Sequence, residues 1–585
     1  MVGRVARVMV ALGFAGIAVG WSWAALAKEP PPPVGDAGFD KLVDEYYAGF
    51  PAAHPTAATE LGFHEHDADL EDLSESGVLK ELARQKLWAT RFAAVDASKL
   101  SPARALDLSQ VRTAIESFFV ETSQVQGWKH HPDFYTGLAS RSVYVIIKRN
   151  YAPSAARLVS VVAREKKIAA LLAQGQRNLT DVPKVSLDIA LEDLPGIVDF
   201  FQRDVPLAFT DVKDAKLKVA LDGSTKEVTA ALTAYGEFLK KEIAPKAKPS
   251  FAIGEATFRA KLKADEMIDA PLDELLARGT AELKRLQDEF KRAAAKINPK
   301  KGYADVQLDM QKDHDTPEKL IPGTQARLAG LRKFLVDQKI VSLPSEVMPH
   351  VEETPPFMRA TTFASMDTPG PFERKATEAY YNVTLPEKSW PAAQVEDFLR
   401  GAFNRPLIDV VSIHEAFPGH YVQFLWLPNV KSKVRKFEGA ASNAEGWAHY
   451  CEQMMLDEGY GAGDDKLRLA QLQDALLRAA RYVVGIRIHT RGMSFDDAVA
   501  FFQKEGFQSK KVAEMETRRG TEDPTYLYYT LGKLEILKLR DDYKRKLGPA
   551  YSLRAFHDAF LAEGAMPLPL VRQALLGTGS APAKN

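Results

Sequence analysis

"SIHEAFPGHYVQ", residues 412–423, decides how the chain is read. It nearly spells His-Glu-x-x-His, the zinc-hydrolase motif in which two histidines one helical turn apart face a single ion. Here the second histidine arrives late, since His414 and His420 are six residues apart. On a regular helix a separation of four leaves two side chains about 40° apart in projection, whereas six leaves about 240°, nearly opposite faces. The stretch is either a deformed metal site or a kinked core helix. Pro418-Gly419 lies inside it. Pro418 has no N–H for the carbonyl of His414, and its ring clashes there. Gly419 accepts dihedrals that other residues resist. Two residues bulged out of the helix would restore an effective spacing of four, and such bulges recur at functional sites. The expectation is a helix deformed at Phe417–Gly419, with both imidazoles turned to one point.

A catalytic zinc needs three protein ligands and an open position. "SNAEGWAHYCEQM", residues 442–454, puts Glu445, His449 and Glu452 at i, i+4 and i+7, one face of a helix. Glu445 follows His420 by 25 residues. A His-Glu…His stretch followed by a glutamate on a second helix is the ligand layout of His₂Glu zinc hydrolases. A helix with a solvated acidic face is the alternative. Trp447, Ala448 and Cys451 argue for burial, and buried carboxylates need partners.

Outward from these motifs the chain reads mainly as helix. Apolar positions recur three and four apart in 75–120, 155–175, 226–245, 272–297 and 464–488. Ser494 is an N-cap candidate for a helix ending at Gly506. Strand candidates are concentrated in 358–385, on either side of the turn signal Asp-Thr-Pro-Gly-Pro. A lysine-rich, proline-spaced stretch near 240–255 suggests a soft boundary between an N-terminal helical region, 36–250, and a C-terminal region, 251–585, within one continuous body.

The first 27 residues read as a cleavable export signal. Arg4 and Arg7 precede an apolar run that closes on Ala25-Leu26-Ala27. A retained membrane anchor is the other reading, since the run approaches the ~20 residues that span a bilayer. Residues 28–35 form a proline-rich tether. The mature protein is then expected in a bacterial periplasm, without stable membrane insertion. Its one cysteine, Cys451, allows no intrachain disulfide. Lysine plus arginine equals aspartate plus glutamate at 77 each, which gives no support to a nucleic-acid or anionic-membrane partner.

Several stretches together resemble the DUF885 family of bacterial exported proteins, placed with zinc metallopeptidases of the HExxH type. They are "FPAAHPTAATELGFHEHDADLEDLS", "HHPDFYTGL", "RNYAPSAARLVSVVAREKKIAALL", "FASMDTPGPFERKATEAYYNVT", "HEAFPGHYVQ", "EGWAHYCEQMM" and "YLYYTLGKLEILKLR", in the family's order. The HEAxPGH and EGWAxYxE pair is the specific part. Tyr421 stands where members often carry a further histidine, so it is not expected to be a ligand. The resemblance implies a large helical metallopeptidase-like fold, with a deep cleft and a small sheet next to the zinc site. It also implies zinc-dependent peptide hydrolysis.

Roles follow on that footing. His414, His420 and Glu445 would hold Zn²⁺. Glu415, beside a ligand, would be the general base. His449 and Glu452 would orient a ligand, with His449 the alternative third ligand. Tyr529, the tyrosine three residues before Gly532 in the family-like pattern, would donate to the oxyanion. The strands at 358–385 would pair with a peptide or small-amide substrate. Arg478, Arg481, Arg487, His489 and Arg491 crowd one helix. One of them could hold a substrate carboxylate, as in a carboxypeptidase or dipeptidase, while most read as a solvated cationic face. His64, His66, Asp67 and Asp69 in "GFHEHDAD" read as a polar loop rather than a metal site. A zinc-holding binding protein without turnover, and a zinc amidase or esterase, are the competing functions. Oligomeric state is open.

Overall fold

The computed structural model describes residues 35–577 except 356–358, 360 and 361. The expected signal, the tether up to residue 34 and the start of the 358–385 strand candidate lie outside the described residues. Elsewhere the apolar periodicity becomes helix. The 75–120 stretch divides into Glu75–Ala93 and Pro102–Val120, because Asp96 caps a short turn between them. Residues 272–297 are one helix, and Ser494 accepts from Asp497 N at the head of the next short one.

An N-terminal layer is built from α1 (Asp133–Ile147), α2 (Ser154–Asn178), α3 (Lys184–Asp199) and α4 (Ala215–Phe238). Tyr135, Val143, Val161, Leu171, Val228 and Leu232 close its core. After α5 (Leu272–Ile297) come three short strands, β1 (His350–Glu353), β2 (Ala364–Asp367) and β3 (Tyr380–Val383). The strand order is β1-β3-β2, with β3 parallel to β1 and antiparallel to β2. β2 and β3 fall in the expected strand region. β1, "HVEE", went unpredicted, because its polar residues carry no alternation signal.

The sheet's two faces differ, as the strand period of two requires. Tyr381 and Val383 turn into the core, where Tyr381 Oη lies 3.5 Å from Ser412 Oγ on α6 (Arg405–Glu415). Ser365 and Asn382 share the other face, bonded at 3.2 Å. The sheet is thus backed by the helix that carries His414.

The remaining helices are α7 (His420–Trp426), α8 (Ala441–Asp457), α9 (Asp465–Thr490), α10 (Lys510–Glu522) and α11 (Tyr528–Leu547). α9 has α5, α6, α10 and α11 packed around it, which overturns the solvated cationic face expected there. Arg478, Arg481 and His489 are buried. A helix enclosed this way must pair its charges internally. Arg481 meets Glu516 with two hydrogen bonds, and His489 Nε2 bonds Gly520 O at 2.7 Å. Arg491 alone keeps an exposed position, paired with Glu255 and Asp273.

α8 and α11 touch backbone to backbone. A Cβ on Gly446 would stand 2.6 Å from Gly532 Cα, and one on Gly532 would stand 2.0 Å from Ser442 O. This crossing places Glu445, beside Gly446, next to Tyr529, one turn before Gly532.

Candidate metal centre

The Pro-Gly pair does more than bulge a helix. α6 ends at Glu415 and α7 begins at His420, so four residues separate two distinct helices where one deformed helix was expected. Gly419 N donates to Ile413 O at 3.0 Å, folding the connection back on the end of α6. A Cβ on Gly419 would lie 1.7 Å from His414 O, so no other residue fits. Trp447 Nε1 holds Pro418 O at 2.9 Å from α8.

The break brings the two imidazoles together at 4.8 Å between ring centres, nearly perpendicular at 88°. Both present Nε2 to the same carboxylate oxygen. Glu445 Oε2 is 3.3 Å from His414 Nε2 and 3.2 Å from His420 Nε2. All three ligand-type atoms lie within 4.8 Å of one another. Two imidazole nitrogens and one carboxylate oxygen converging on a point are the donor set that zinc takes in hydrolases. His420 Nδ1 has no partner, whereas the other ring is held firmly.

Glu452 does the holding. Its Oε1 accepts from His414 Nδ1 at 2.7 Å and its Oε2 from His449 Nδ1 at 2.9 Å. With one proton fixed at Nδ1, it is Nε2 that can give up its proton to a metal, the usual outer support for a metal-binding histidine. Arg478 reaches Glu452 Oε1 at 3.2 Å and also pairs with Asp474. His449 does not join the cluster. It is fully buried, and burial pushes its pKa down to about 3, so it stays neutral beside Glu452. Burial and Arg478 oppose charge on His414, yet Glu445 and Glu452 outweigh them and lift its pKa to about 9. Burial acts to raise Glu445, but His420 and His414 hold it well below the usual carboxylate range. The site therefore favours a positive charge.

Glu415 is 8 % exposed and makes no hydrogen bond or ion pair among the described residues. Tyr529 lies over His414, ring centres 6.3 Å apart. Arg519 donates to its hydroxyl oxygen at 2.7 Å, leaving the O–H proton available. Burial keeps this phenol protonated, with its pKa up at about 12. Tyr421 donates to Val347 O at 2.6 Å, away from the cluster. Tyr526 is enclosed in the core. Arg519 was missed in the sequence, because an arginine ten residues before Tyr529 has no spacing that marks it.

Two cavities lie near the centre; both have Asp133 and Asp193 in their walls, and neither is lined by His414, Glu415, His420, Glu445 or Tyr529. One of about 800 Å³ separates α1 and α3 from the outer face of the sheet and reaches Phe424, whose ring lies 5.9 Å from that of His420. The other, of about 440 Å³, is bordered by the middle of α3 and the second half of α10, Arg519 included. In the early loop, His64 bonds Asp67 and Glu373, and Tyr151 also donates to Asp67, forming a polar network. A second histidine–carboxylate cluster joins His131, Asp133 and Glu522.

A family model described as "Bacterial protein of unknown function (DUF885)" matches residues 55–575. No curated protein matches. A solved structure from Shewanella oneidensis, described as "a putative lipoprotein of unknown function", is 26% identical with a TM-score of 0.75, covering 92% of this chain and 100% of that one. Another from Colwellia psychrerythraea, described as a "putative lipoprotein", is 16% identical with a TM-score of 0.76, covering 92% and 98%.

Proposed function

The chain belongs to the DUF885 family, and we propose that it is a zinc-dependent hydrolase of peptide bonds. The observation that carries this reading is the convergence of both Nε2 atoms on Glu445 Oε2, with an unpaired Glu415 on the residue next to His414. A purely structural metal needs no base, and Glu415 has no structural partner. Zinc held by His414, His420 and Glu445 would supply Lewis acidity, polarising an amide carbonyl and making water nucleophilic near neutral pH.

The chain's own groups divide the remaining work. Glu415 takes the proton of the attacking water and passes it to the leaving amine. Tyr529 gives its O–H to the carbonyl oxygen as that oxygen gains charge, and Arg519 fixes the phenol's direction from behind. Glu452 keeps the proton of His414 on Nδ1, and Arg478 pairs with Glu452. The two cavities, which adjoin at Asp133 and Asp193, would give an extended substrate room near this group, one reaching Phe424 beside His420 and the other Arg519 beside Tyr529.

The leader-like N-terminus and the descriptions of the two structural neighbours support a place in the cell envelope. Among the described residues no helix is long and apolar enough to cross a membrane. The test is zinc analysis paired with hydrolysis of free peptides, end-blocked peptides and esters, before and after chelation. Peptide cleavage that chelation abolishes and zinc restores supports the proposal. Protein that holds zinc and cleaves none of the three classes refutes it.

A further inference from the structure

Charge in the two cavities is unbalanced at one place. Asp133 on α1 and Asp193 on α3 border both of them. Asp133 Oδ1 is shut off from solvent and has no hydrogen-bond partner. Asp193 makes no hydrogen bond or ion pair among the described residues. The arginines nearby have other partners: Arg141 pairs with Glu60, Arg149 with Asp367, Arg518 with Glu192, and Arg519 with Tyr529. His131 and Glu522 bond each other, and Ser186 donates to the second oxygen of Glu522 at 2.6 Å.

Asn382 lines the larger cavity as well. It is 1% exposed, gives Nδ2 to Ser365, and leaves Oδ1 without a partner. The cavity wall thus offers three unmatched acceptors. Burial, with Glu522 close to Asp133 and Glu192 close to Asp193, pushes both carboxyls up to about 7. A cation placed between them would relieve that cost. The space, about 800 Å³ and 440 Å³, suits a group carried on an organic chain better than a bare ion.

We propose that Asp133 and Asp193, with Asn382, form a subsite for an alkylammonium group of the substrate. The group is either the free α-amino end of a peptide or a lysine side chain. An ammonium has three donors and no acceptor, which matches a wall of acceptors. The proposal rests on the reading that the cavities receive a peptide for hydrolysis, and it names the class of peptide.

Calorimetry on zinc-loaded Glu415→Gln protein tests it without turnover. The probes are tetraalanine, N-acetyl-tetraalanine and N-acetyl-Ala-Lys-Ala-Ala, in that background alone and with Asp133→Asn, Asp193→Asn or both. At least one amine-bearing probe should bind more tightly than N-acetyl-tetraalanine. It should lose roughly 10-fold or more in affinity with each carboxylate removed, the scale of a hydrogen bond to a charged group. N-acetyl-tetraalanine should bind all four proteins alike, and the probe that responds identifies the source of the amine. Equal affinity for the three probes, or no binding of the amine-bearing ones, overturns the proposal without needing the aspartate variants. So does the loss of a second bound metal in Asp133→Asn, which would make this carboxylate an ion ligand. If the amine probes behave as expected while wild-type protein cleaves nothing, the hydrolase reading fails and the subsite stands.

Discussion

At the end of α6, His414, His420 and Glu445 bring their ligand-type atoms within 4.8 Å of one another; near the start of α1, His131, Asp133 and Glu522 do the same. Composition and spacing do not separate the two clusters, but the layer behind them does. Glu452 and Arg478 hold His414 with its Nε2 facing Glu445. Among the described residues His131 has no carboxylate behind it: its hydrogen bond goes to Glu522 within the cluster itself. The first cluster has a second carboxylate behind a histidine, and the second closes on itself beside Asp133. A constellation of ligand-type residues becomes a metal-site candidate when other residues hold its lone pairs open.

Removing ligands should break this comparison most sharply. His414→Ala and Glu445→Ala should lose bound zinc and all measurable hydrolysis, whereas Glu522→Gln should keep the zinc content of the wild type. Elemental analysis after gel filtration checks both halves, and zinc lost from Glu522→Gln would show that the two clusters had been assigned in reverse. Glu452→Gln attacks the layer behind. Zinc affinity should fall roughly 10- to 100-fold, the range for a lost partner behind a ligand, as read by competition with a chelating dye. Unchanged affinity would mean that the difference between the clusters lies elsewhere.

Tyr529→Phe should retain zinc and lower kcat by roughly 10²-fold, with KM changed much less, because the donor acts chiefly in the transition state. Unaltered kcat would return Tyr529 to packing.

The smallest effect concerns pH. The pKa of His414, about 9 in the folded metal-free chain, stands above the ~6.5 of an unfolded histidine. The stability that this proton contributes is full below about pH 6.5 and is lost as pH rises toward 9. Zinc competes with that proton, so the rise in Tm on adding zinc should grow between these limits. Paired melts with and without zinc would contradict this if the shift stayed flat.

The convergence of His414, His420 and Glu445 was legible because Pro418 and Gly419 advertise a break, and the 25-residue step to Glu445 reaches a second helix. The break's form was not, since a close approach of backbone to backbone leaves only a glycine in the sequence. The buried arginines of α9 were misread because charge along a helix ordinarily means solvent, and only the packing of four neighbouring helices shows otherwise. β1 and Arg519 lack any local signal; their positions are set by partners far along the chain.

Glu415→Gln tests the central claim most directly, because it separates holding a metal from using it. Glutamine keeps the shape of the side chain and cannot accept the proton of water. The variant should fold, bind one zinc per chain as the wild type does, and lose at least ~10²-fold in peptide hydrolysis. Full activity with zinc retained would contradict the assignment of Glu415 as the base, and with it the hydrolytic account of this site.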